Sequence, residues 1–413
     1  MIEKEKNGYF WNSAAGILNA GEAVILSMVV TRISGLVDAG VLSMAFAVGN
    51  LMMTIGKFGV RNYQATDVEE GFSFAEYFRA RMVTVALMAA ASLLYVCCGI
   101  RWRAYGIRKA AIILSFCFIY LVESVEDVFW GLYQLRQSLD TGAKLFLLRW
   151  TVILSVCIGI LFVSKDLSVA AVSGAAAGLV VSSISNVFVF RGTGEKLCIG
   201  SAGAVRRILR QCLPLFLASF LTIYVTNAPK YAIDRCLTQE MQACYGFLSM
   251  PVFVVELLNG FFYQPSLVHM ALEWKEGKLI QLRRRVKRQC AVLLGLTCVC
   301  LAGAYVCGIP VLSAIYGTDL SGYRKELLVL LCGGGMLGYA GYFGVLLTVM
   351  RRQEAVMYGY AGAALLALSL SNGAVRNYGI IGAAGLSALL MSVLAAFFVF
   401  MYLKEIVLIN QNT

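Results

Sequence analysis

The chain is 413 residues long; 60% of its residues are hydrophobic and only 14% are charged. This composition excludes an ordinary soluble domain and is typical of polytopic membrane proteins. The formal net charge of +12 indicates basic loops that lie against anionic lipid headgroups; it does not indicate a nucleic-acid partner.

Apolar stretches bounded by charged residues predict twelve membrane-spanning helices. A span of about 20 residues, at ~1.5 Å rise per residue, covers a hydrocarbon core of ~30 Å. The stretches lie at residues 9–31, 39–60, 82–100, 110–133, 145–164, 167–190, 211–233, 242–266, 290–309, 327–350, 355–372 and 379–403. Because lipid cannot satisfy unpaired backbone groups, we predict an all-α polytopic membrane protein.

The distribution of Lys and Arg predicts the orientation of the chain. Twelve spans place both termini on one side of the membrane, and the loops on that side contain more Lys and Arg. Because cytoplasmic loops carry an excess of these residues, we expect both termini in the cytoplasm. The strongest clusters, at residues 206–210 and 283–288, fall on the cytoplasmic side. The basic loop at residues 101–109 would be external and is the exception.

An internal repeat predicts two halves. Residues 40–44 (GVLSM) align with residues 246–250 (GFLSM), and the same offset superposes the predicted spans of both halves. We predict a six-helix bundle at 1–190, a glycine-rich cytoplasmic linker at 191–210 and a second six-helix bundle at 211–413. A bundle of six spans begins and ends on the same side of the membrane. The second bundle would therefore have the same orientation as the first, and the repeats would be parallel.

Two runs resemble a known family. The run TRISGLVDAGVLSMAFAVGNLMMTIGKFGVRNYQATD resembles the beginning of Wzx-type bacterial polysaccharide flippases, and NAPKYAIDRCLTQEMQACYGFLSMPVFVVELL resembles their seventh and eighth helices. These flippases belong to the MATE/MOP superfamily, which also contains the MATE drug exporters and the lipid II flippases.

The resemblance implies a V-shaped pair of six-helix bundles in the cytoplasmic membrane. It implies a transporter, not an enzyme, that moves undecaprenyl-diphosphate-linked oligosaccharide from the inner to the outer leaflet by alternating access. Such a protein would act in polysaccharide biosynthesis, in O-antigen or capsule export, with polysaccharide polymerase machinery as a partner and a cation gradient or the membrane potential as the driving force.

Cations and amides in or near the spans are the candidates for contact with the diphosphate and sugars. The Arg fork suits phosphate because it donates paired hydrogen bonds and keeps its charge. The candidates are Arg32, Lys57, Arg61, Arg149, Lys230, Arg235, Asn50 and Gln64. Two alternatives stay open: cations near helix ends that snorkel to headgroups, and a local i,i+4 pair between Lys230 and Asp234.

Carboxylates within the spans are the candidates for cation coupling or gating. They are Glu22, Glu123, Glu126, Asp127 and Glu256. Residues 123, 126 and 127 share one helix face by i,i+3 and i,i+4 spacing. Either these acids take up and release a coupling ion, H⁺ or Na⁺, or they form static pairs with neighbouring cations.

The cysteine and histidine residues give no indication of a cofactor or a metal site. The thirteen cysteines lie mostly in apolar spans and are interpreted as small apolar residues, and the only histidine is His269. Aromatic residues at span ends, including Trp130 and Trp150, are expected to anchor the helices at the interface. Anionic lipids are expected partners of a monomer.

Two other functions are alternatives for a membrane protein of this kind. A MATE-like drug/cation antiporter would prefer an acidic or aromatic pocket with few cations, and a membrane enzyme would need a sizeable external loop. The sugar, the coupling ion and the resting conformation are left open by the sequence.

Overall fold

The computed structural model describes residues 2–67, 71–102, 104–136, 138–191, 201–263 and 266–412. All regular secondary structure in these ranges is helical: it consists of α-helices, one short π-helix and one short 3₁₀-helix. The α-helices are α1 Ile2–Ser34, α2 Leu36–Lys57, α3 Val60–Thr66, α4 Phe74–Arg101, α5 Ile107–Leu135, α6 Leu139–Ser164, α7 Leu167–Arg191, α8 Ala202–Cys236, α9 Gln239–Tyr263, α10 Leu267–Lys275, α11 Leu279–Gly303, α12 Ile309–Tyr316, α13 Arg324–Val349 and α14 Gln353–Asn412.

The membrane-protein prediction is confirmed. Nine helical segments of the described chain are long and apolar enough to cross a bilayer. The last of them, Gln353–Val407, has 55 residues and carries two of the twelve predicted spans. The predicted span at 110–133 falls on α5, whose apolar stretch contains Glu123, Glu126 and Asp127. The predicted span at 242–266 falls on α9 up to Tyr263, and residues 264 and 265 lie outside the described residues.

Helix α14 folds back on itself at Gly379, whose backbone has φ 62° and ψ −140°. A Cβ atom on Gly359 would lie 2.4 Å from the ring of Phe398, and the rings of Tyr360 and Phe398 are 5.8 Å apart. A straight helix would separate Gly359 from Phe398 by ~58 Å. The element is therefore a hairpin of two antiparallel arms.

The chain forms two compact units, Met1–Ile223 and Tyr224–Thr413, and the division falls inside α8. The first half of α8 packs in the first unit, where the rings of Phe58 and Phe216 stack 4.3 Å apart. Of the predicted linker, residues 192–200 lie outside the described residues, and residues 202–210 are the first turns of α8. The predicted bundle bounds stay a prediction.

Helix α2 is the most enclosed span of the first unit, because two glycines let α5 approach closely. A Cβ on Gly49 would lie 2.5 Å from the ring of Tyr120, and a Cβ on Gly56 would lie 2.5 Å from Ser124 Oγ. Small residues at helix contacts allow such close packing in membranes. The contact brings the polar residues of α5 against the end of α2.

Helix α13 has the corresponding central place in the second unit, with neighbours α9, α11 and α14. Its residues 333–335 are three consecutive glycines that face those helices. At Gly333 an added Cβ would lie 3.0 Å from the backbone of Ala388, and at Gly335 it would lie 2.5 Å from Thr297.

Candidate functional site

The candidate site is a buried ionic network in the first unit, and it begins where α2 ends. Two consecutive residues, Phe58 (φ 46°) and Gly59 (φ 70°), have left-handed backbone and break the helix between Lys57 and α3. A Cβ on Gly59 would lie 2.9 Å from the side chain of Leu215. The break therefore needs glycine at this position and places Lys57 and Arg61 on either side of a turn.

The same break leaves the carbonyl of Gly56 without a partner in its own helix. Arg81 Nη1 donates to this oxygen at 2.6 Å and Thr84 Oγ1 donates at 2.7 Å. Arg81 is fully buried, and its Nη2 donates to Asp127 Oδ2 at 2.6 Å. One guanidinium thus joins the end of α2 to α4 and α5.

Glu123 is the centre of the network. It accepts from Lys57 Nζ at 2.8 Å, from Arg149 Nη2 at 2.7 Å and from Trp150 Nε1 at 3.3 Å. Trp150 is completely buried, so the expectation of an interfacial anchor is wrong for this residue. Its indole N–H satisfies a buried carboxylate, as buried polar groups require.

Glu126 connects α5 to α6 and α7. Arg149 Nη1 and Ser182 Oγ donate to its two oxygens, and Asn186 Nδ2 donates to Oε1 at 2.9 Å. Arg149 therefore bridges Glu123 and Glu126, which lie one helix turn apart. Only 1% of its side chain is exposed, so its charge lies inside the bundle and faces neither lipid nor water.

Arg61 lies at the open edge of the network. It is 3.6 Å from Asp127 Oδ1, donates to Gln134 Oε1 at 3.2 Å and lies 4.3 Å above the ring of Trp130. The other neighbour of that ring is Phe146, with centroids 6.0 Å apart in stacked geometry. Trp130 therefore contacts both a cation and a second aromatic ring within the network.

Glu22, in the middle of α1, is the fourth carboxylate. Its side chain is buried, and Tyr120 O–H donates to Oε1 at 3.1 Å. The Oε2 atom has no hydrogen-bond partner among the described residues. Its electrostatic neighbours include Glu123, Arg149 and Lys57, so Glu22 belongs to the same charge cluster.

The network contains equal numbers of opposite charges. Its cations are Lys57, Arg61, Arg81 and Arg149, and its carboxylates are Glu22, Glu123, Glu126 and Asp127. The three acids of α5 lie 8 to 12 residues before the end of the helix, or ~12–18 Å along it. Charges at such depth are costly unless they are paired and hydrogen-bonded, and the geometry supplies that pairing.

Exposure divides the cations into two classes. The side chains of Arg81 and Arg149 are 0% and 1% exposed, whereas those of Lys57 and Arg61 are 31% and 27% exposed. A cavity of about 20 Å³ next to Lys57 and Glu126 has room for a water-sized ligand. A larger anion can therefore reach Lys57 and Arg61 only from their exposed sides.

Other predicted residues lie away from the network. Arg32 is exposed at the end of α1, and α2, 22 residues or ~33 Å long, separates it from Arg61. Asn50 is half-buried within α2, and Gln64 is buried on α3, against Gly131 of α5. These two belong to the first unit but bind none of the four carboxylates in the contacts described above.

The remaining predictions concern the second unit. Lys230 is half-buried and Arg235 exposed, both on α8. Lys230 makes no ion pair within the described part of the chain, so the local pair with Asp234 is not formed. The side chain of Glu256 lies outside the described residues, although its backbone is part of α9.

Sequence analysis missed Arg81, Tyr120, Ser182 and Asn186. The predicted span at 82–100 left Arg81 in a loop, whereas α4 begins at Phe74 and encloses it two turns from the start. A signal was available, because Ser73 and Glu76 form a capping box and that pattern marks a helix start. The hydroxyl and amide partners from α5 and α7 had no such signal.

The described residues contain no group of three or more His, Cys, Asp or Glu side chains arranged to hold a metal ion. Sequence comparison found no matching family model and no matching curated protein.

Comparison with solved structures shows the fold. An inward-facing multidrug resistance MATE family transporter of the MOP superfamily matches with a TM-score of 0.74 at 10% identity, covering 97% of this chain and 96% of that one. The Vibrio cholerae MATE transporter VcmN, in its bent form, matches with a TM-score of 0.60 at 12% identity and covers 98% of both chains.

A third similar structure is a MOP superfamily transporter from Pyrococcus furiosus, described as having a binding pocket of reverse polarity. Its TM-score is 0.54 at 12% identity, and the match covers 96% of this chain and 93% of that one. The chain therefore has the MATE/MOP fold, as the sequence resemblance implied. The narrower likeness to polysaccharide flippases stays a prediction.

Proposed function

We propose that this protein is a transporter that moves undecaprenyl-diphosphate-linked oligosaccharide from the inner to the outer leaflet of the cytoplasmic membrane. The observation that carries the proposal is the pair of partly exposed cations, Lys57 and Arg61, at the edge of a charge-balanced network inside a membrane bundle. The MATE/MOP fold of the chain supports a carrier that works by alternating access.

The headgroup of such a substrate is polar and anionic, so it needs cations to cross the apolar core. Arg81 and Arg149 are buried and neutralise carboxylates of α5, so they hold the network together. Lys57 and Arg61 keep exposed surface and can add a phosphate oxygen to their existing partners. Charge-assisted hydrogen bonds of this kind are shorter and stronger than neutral ones.

A carrier also needs a site at which an ion gradient is coupled to transport. We assign this coupling site to the carboxylates of the network. Protonation of Glu123 would weaken its pair with Lys57 and release that cation for the diphosphate. H⁺ and Na⁺ remain alternatives for the coupling ion.

The test is leaflet exchange of a fluorescent undecaprenyl-diphosphate oligosaccharide in proteoliposomes under an imposed pH or sodium gradient. The variant Lys57→Gln/Arg61→Gln should slow the exchange at least tenfold. Arg32→Gln, which removes a cation at the other end of α2, should leave the rate within a factor of two.

If Lys57→Gln/Arg61→Gln and Arg32→Gln exchanged the lipid at the same rate, Lys57 and Arg61 would not contact the substrate. An absence of exchange by the wild type under every gradient would refute the proposed cargo.

A drug/cation antiporter is the second candidate. Buried Glu22, with Oε2 free of a hydrogen-bond partner among the described residues, favours it because such a carboxylate can bind an organic cation or a proton. Gradient-driven efflux of an organic cation that is lost in Glu22→Gln, with no lipid exchange, would establish that function instead.

A further inference from the structure

A groove runs along the α14 hairpin of the second unit, and none of the residues proposed above to contact the cargo lines it. Both arms line it with stripes at helical spacing, Leu370, Gly373 and Asn377 on the first arm and Ile381, Gly385 and Leu389 on the second. Its volume is about 550 Å³, within the range of ~300–1,000 Å³ typical of ligand sites.

Glycines make the floor of the groove. A Cβ on Gly373 or on Gly385 would have no atom within 4 Å, so the space above both residues is open. Leu370 and Leu389 form apolar walls and are themselves 42% and 46% exposed. The groove is thus mostly apolar and accessible.

The depth of the groove corresponds to one leaflet. Its most distant lining residues, Ser369 and Leu389, each lie ten residues from Gly379, which is ~15 Å along an arm. A membrane hydrocarbon core is ~30 Å thick. The groove therefore extends across about half of the core, which is the length of a single lipid chain in one leaflet.

The tip of the hairpin is polar. Asn377 and Tyr378 line the groove at this end, and Tyr378 is 70% exposed. Arg376, beside them, is exposed and forms no ion pair with any residue that the structure describes. A cation at the polar end of an apolar groove matches a ligand with a long apolar chain and an anionic headgroup.

We propose that this groove binds one acyl chain of an anionic bilayer phospholipid, with the lipid phosphate at the hairpin tip beside Arg376. The depth favours a phospholipid over the much longer polyprenyl tail of the proposed cargo. The bound lipid would fill the groove along the two arms and stabilise the hairpin.

The experiment is native mass spectrometry of the full-length protein, released from detergent after titration with phosphatidylglycerol. The variant Gly373→Leu/Gly385→Leu fills the groove from its floor without a clash. The control is Gly362→Leu, which also enters open space on the first arm, but ~25 Å from the turn and outside the groove. The single variant Gly373→Leu keeps the test available if the double variant fails to fold.

The wild type and Gly362→Leu should retain one tightly bound phosphatidylglycerol, and the groove-filling variants should bind it at least tenfold more weakly. Arg376→Gln should reduce the preference for phosphatidylglycerol over phosphatidylcholine at least threefold. Equal retention by the double variant would overturn the site. Displacement of the lipid by undecaprenyl phosphate at equimolar concentration would overturn the assigned occupant.

Discussion

At the scale of single residues, Arg81 is the side chain whose removal should cost the most stability. It is completely buried, and it neutralises Asp127 and binds the Gly56 carbonyl. Arg81→Met would leave Asp127 with the more distant Arg61 as its only cation within the described contacts. Loss of one partner of a buried pair costs about 3–5 kcal/mol, and thermal unfolding in detergent should show that loss.

A surface pair provides the control for this prediction. Lys144 and Asp140 form an exposed i,i+4 pair, so Lys144→Gln should cost less than about 1 kcal/mol. The double variant Arg81→Met/Asp127→Leu should recover part of the loss, because it removes both charges. If Arg81→Met unfolded at the same temperature as Lys144→Gln, the guanidinium would not support the end of α2.

At the scale of helices, the contact between α2 and α5 should tolerate no added atom. Gly49→Ala would place a methyl group 2.5 Å from the ring of Tyr120, and overpacking of this kind costs about 1–3 kcal/mol. Gly341→Ala on α13 enters open space and should gain up to about 1 kcal/mol from helix propensity. Opposite shifts in apparent melting temperature would agree with this packing, and equal shifts would contradict it.

The turn of α14 should depend on its glycine for a different reason. No atom lies within 4 Å of a Cβ on Gly379, but its φ of 62° with ψ −140° is a conformation that residues with a side chain rarely adopt. Gly379→Ala should therefore destabilise the hairpin by about 1–3 kcal/mol through backbone strain alone.

Gly362→Ala, in the same arm with helical backbone and open space, is the matched control and should be neutral or stabilising. Proteolysis at the hairpin tip in liposomes would report the difference. Equal cleavage of both variants would contradict a strained turn.

Hydropathy could predict where the helices lie, because burial in lipid leaves a long apolar signal. It could not predict where a helix begins when the first turns are polar, as α4 shows: the eight residues from Phe74 to Arg81 include Glu76, Arg79 and Arg81. The sequence predicted the turn at Gly379 only as a gap between two apolar stretches. The sharp reversal of the chain depends on the backbone conformation of this one residue, which hydropathy does not report.

At the scale of the whole molecule, the all-helical membrane fold could be predicted from the sequence, and so could the cluster of acids on α5. Three acids on one face of α5 indicated a polar centre, since i,i+3 and i,i+4 spacing is a local property. The partners of those acids are 23 to 66 residues away in the chain, and no local pattern reports such distances. The pairing of Arg149 with two glutamates was therefore visible only in three dimensions.

The opposite locations of Arg32 and Arg61 show the same limit. Both lie in one family-like run, and both are sequence-based candidates for contact with the diphosphate and sugars. The length of α2 separates them, so only Arg61 reaches the network. One diphosphate group therefore cannot contact both arginines at the same time.

The equal numbers of cations and carboxylates in the network have an electrical consequence. With every group ionised, the network carries no net charge, so moving it through the transmembrane field does no net electrical work. Binding one proton adds one elementary charge, and carrying that charge across 100 mV is worth about 2.3 kcal/mol. Rearrangement of this unit should therefore depend on voltage only when a coupling ion is bound, and recordings of transient charge movement at different pH values would measure that dependence.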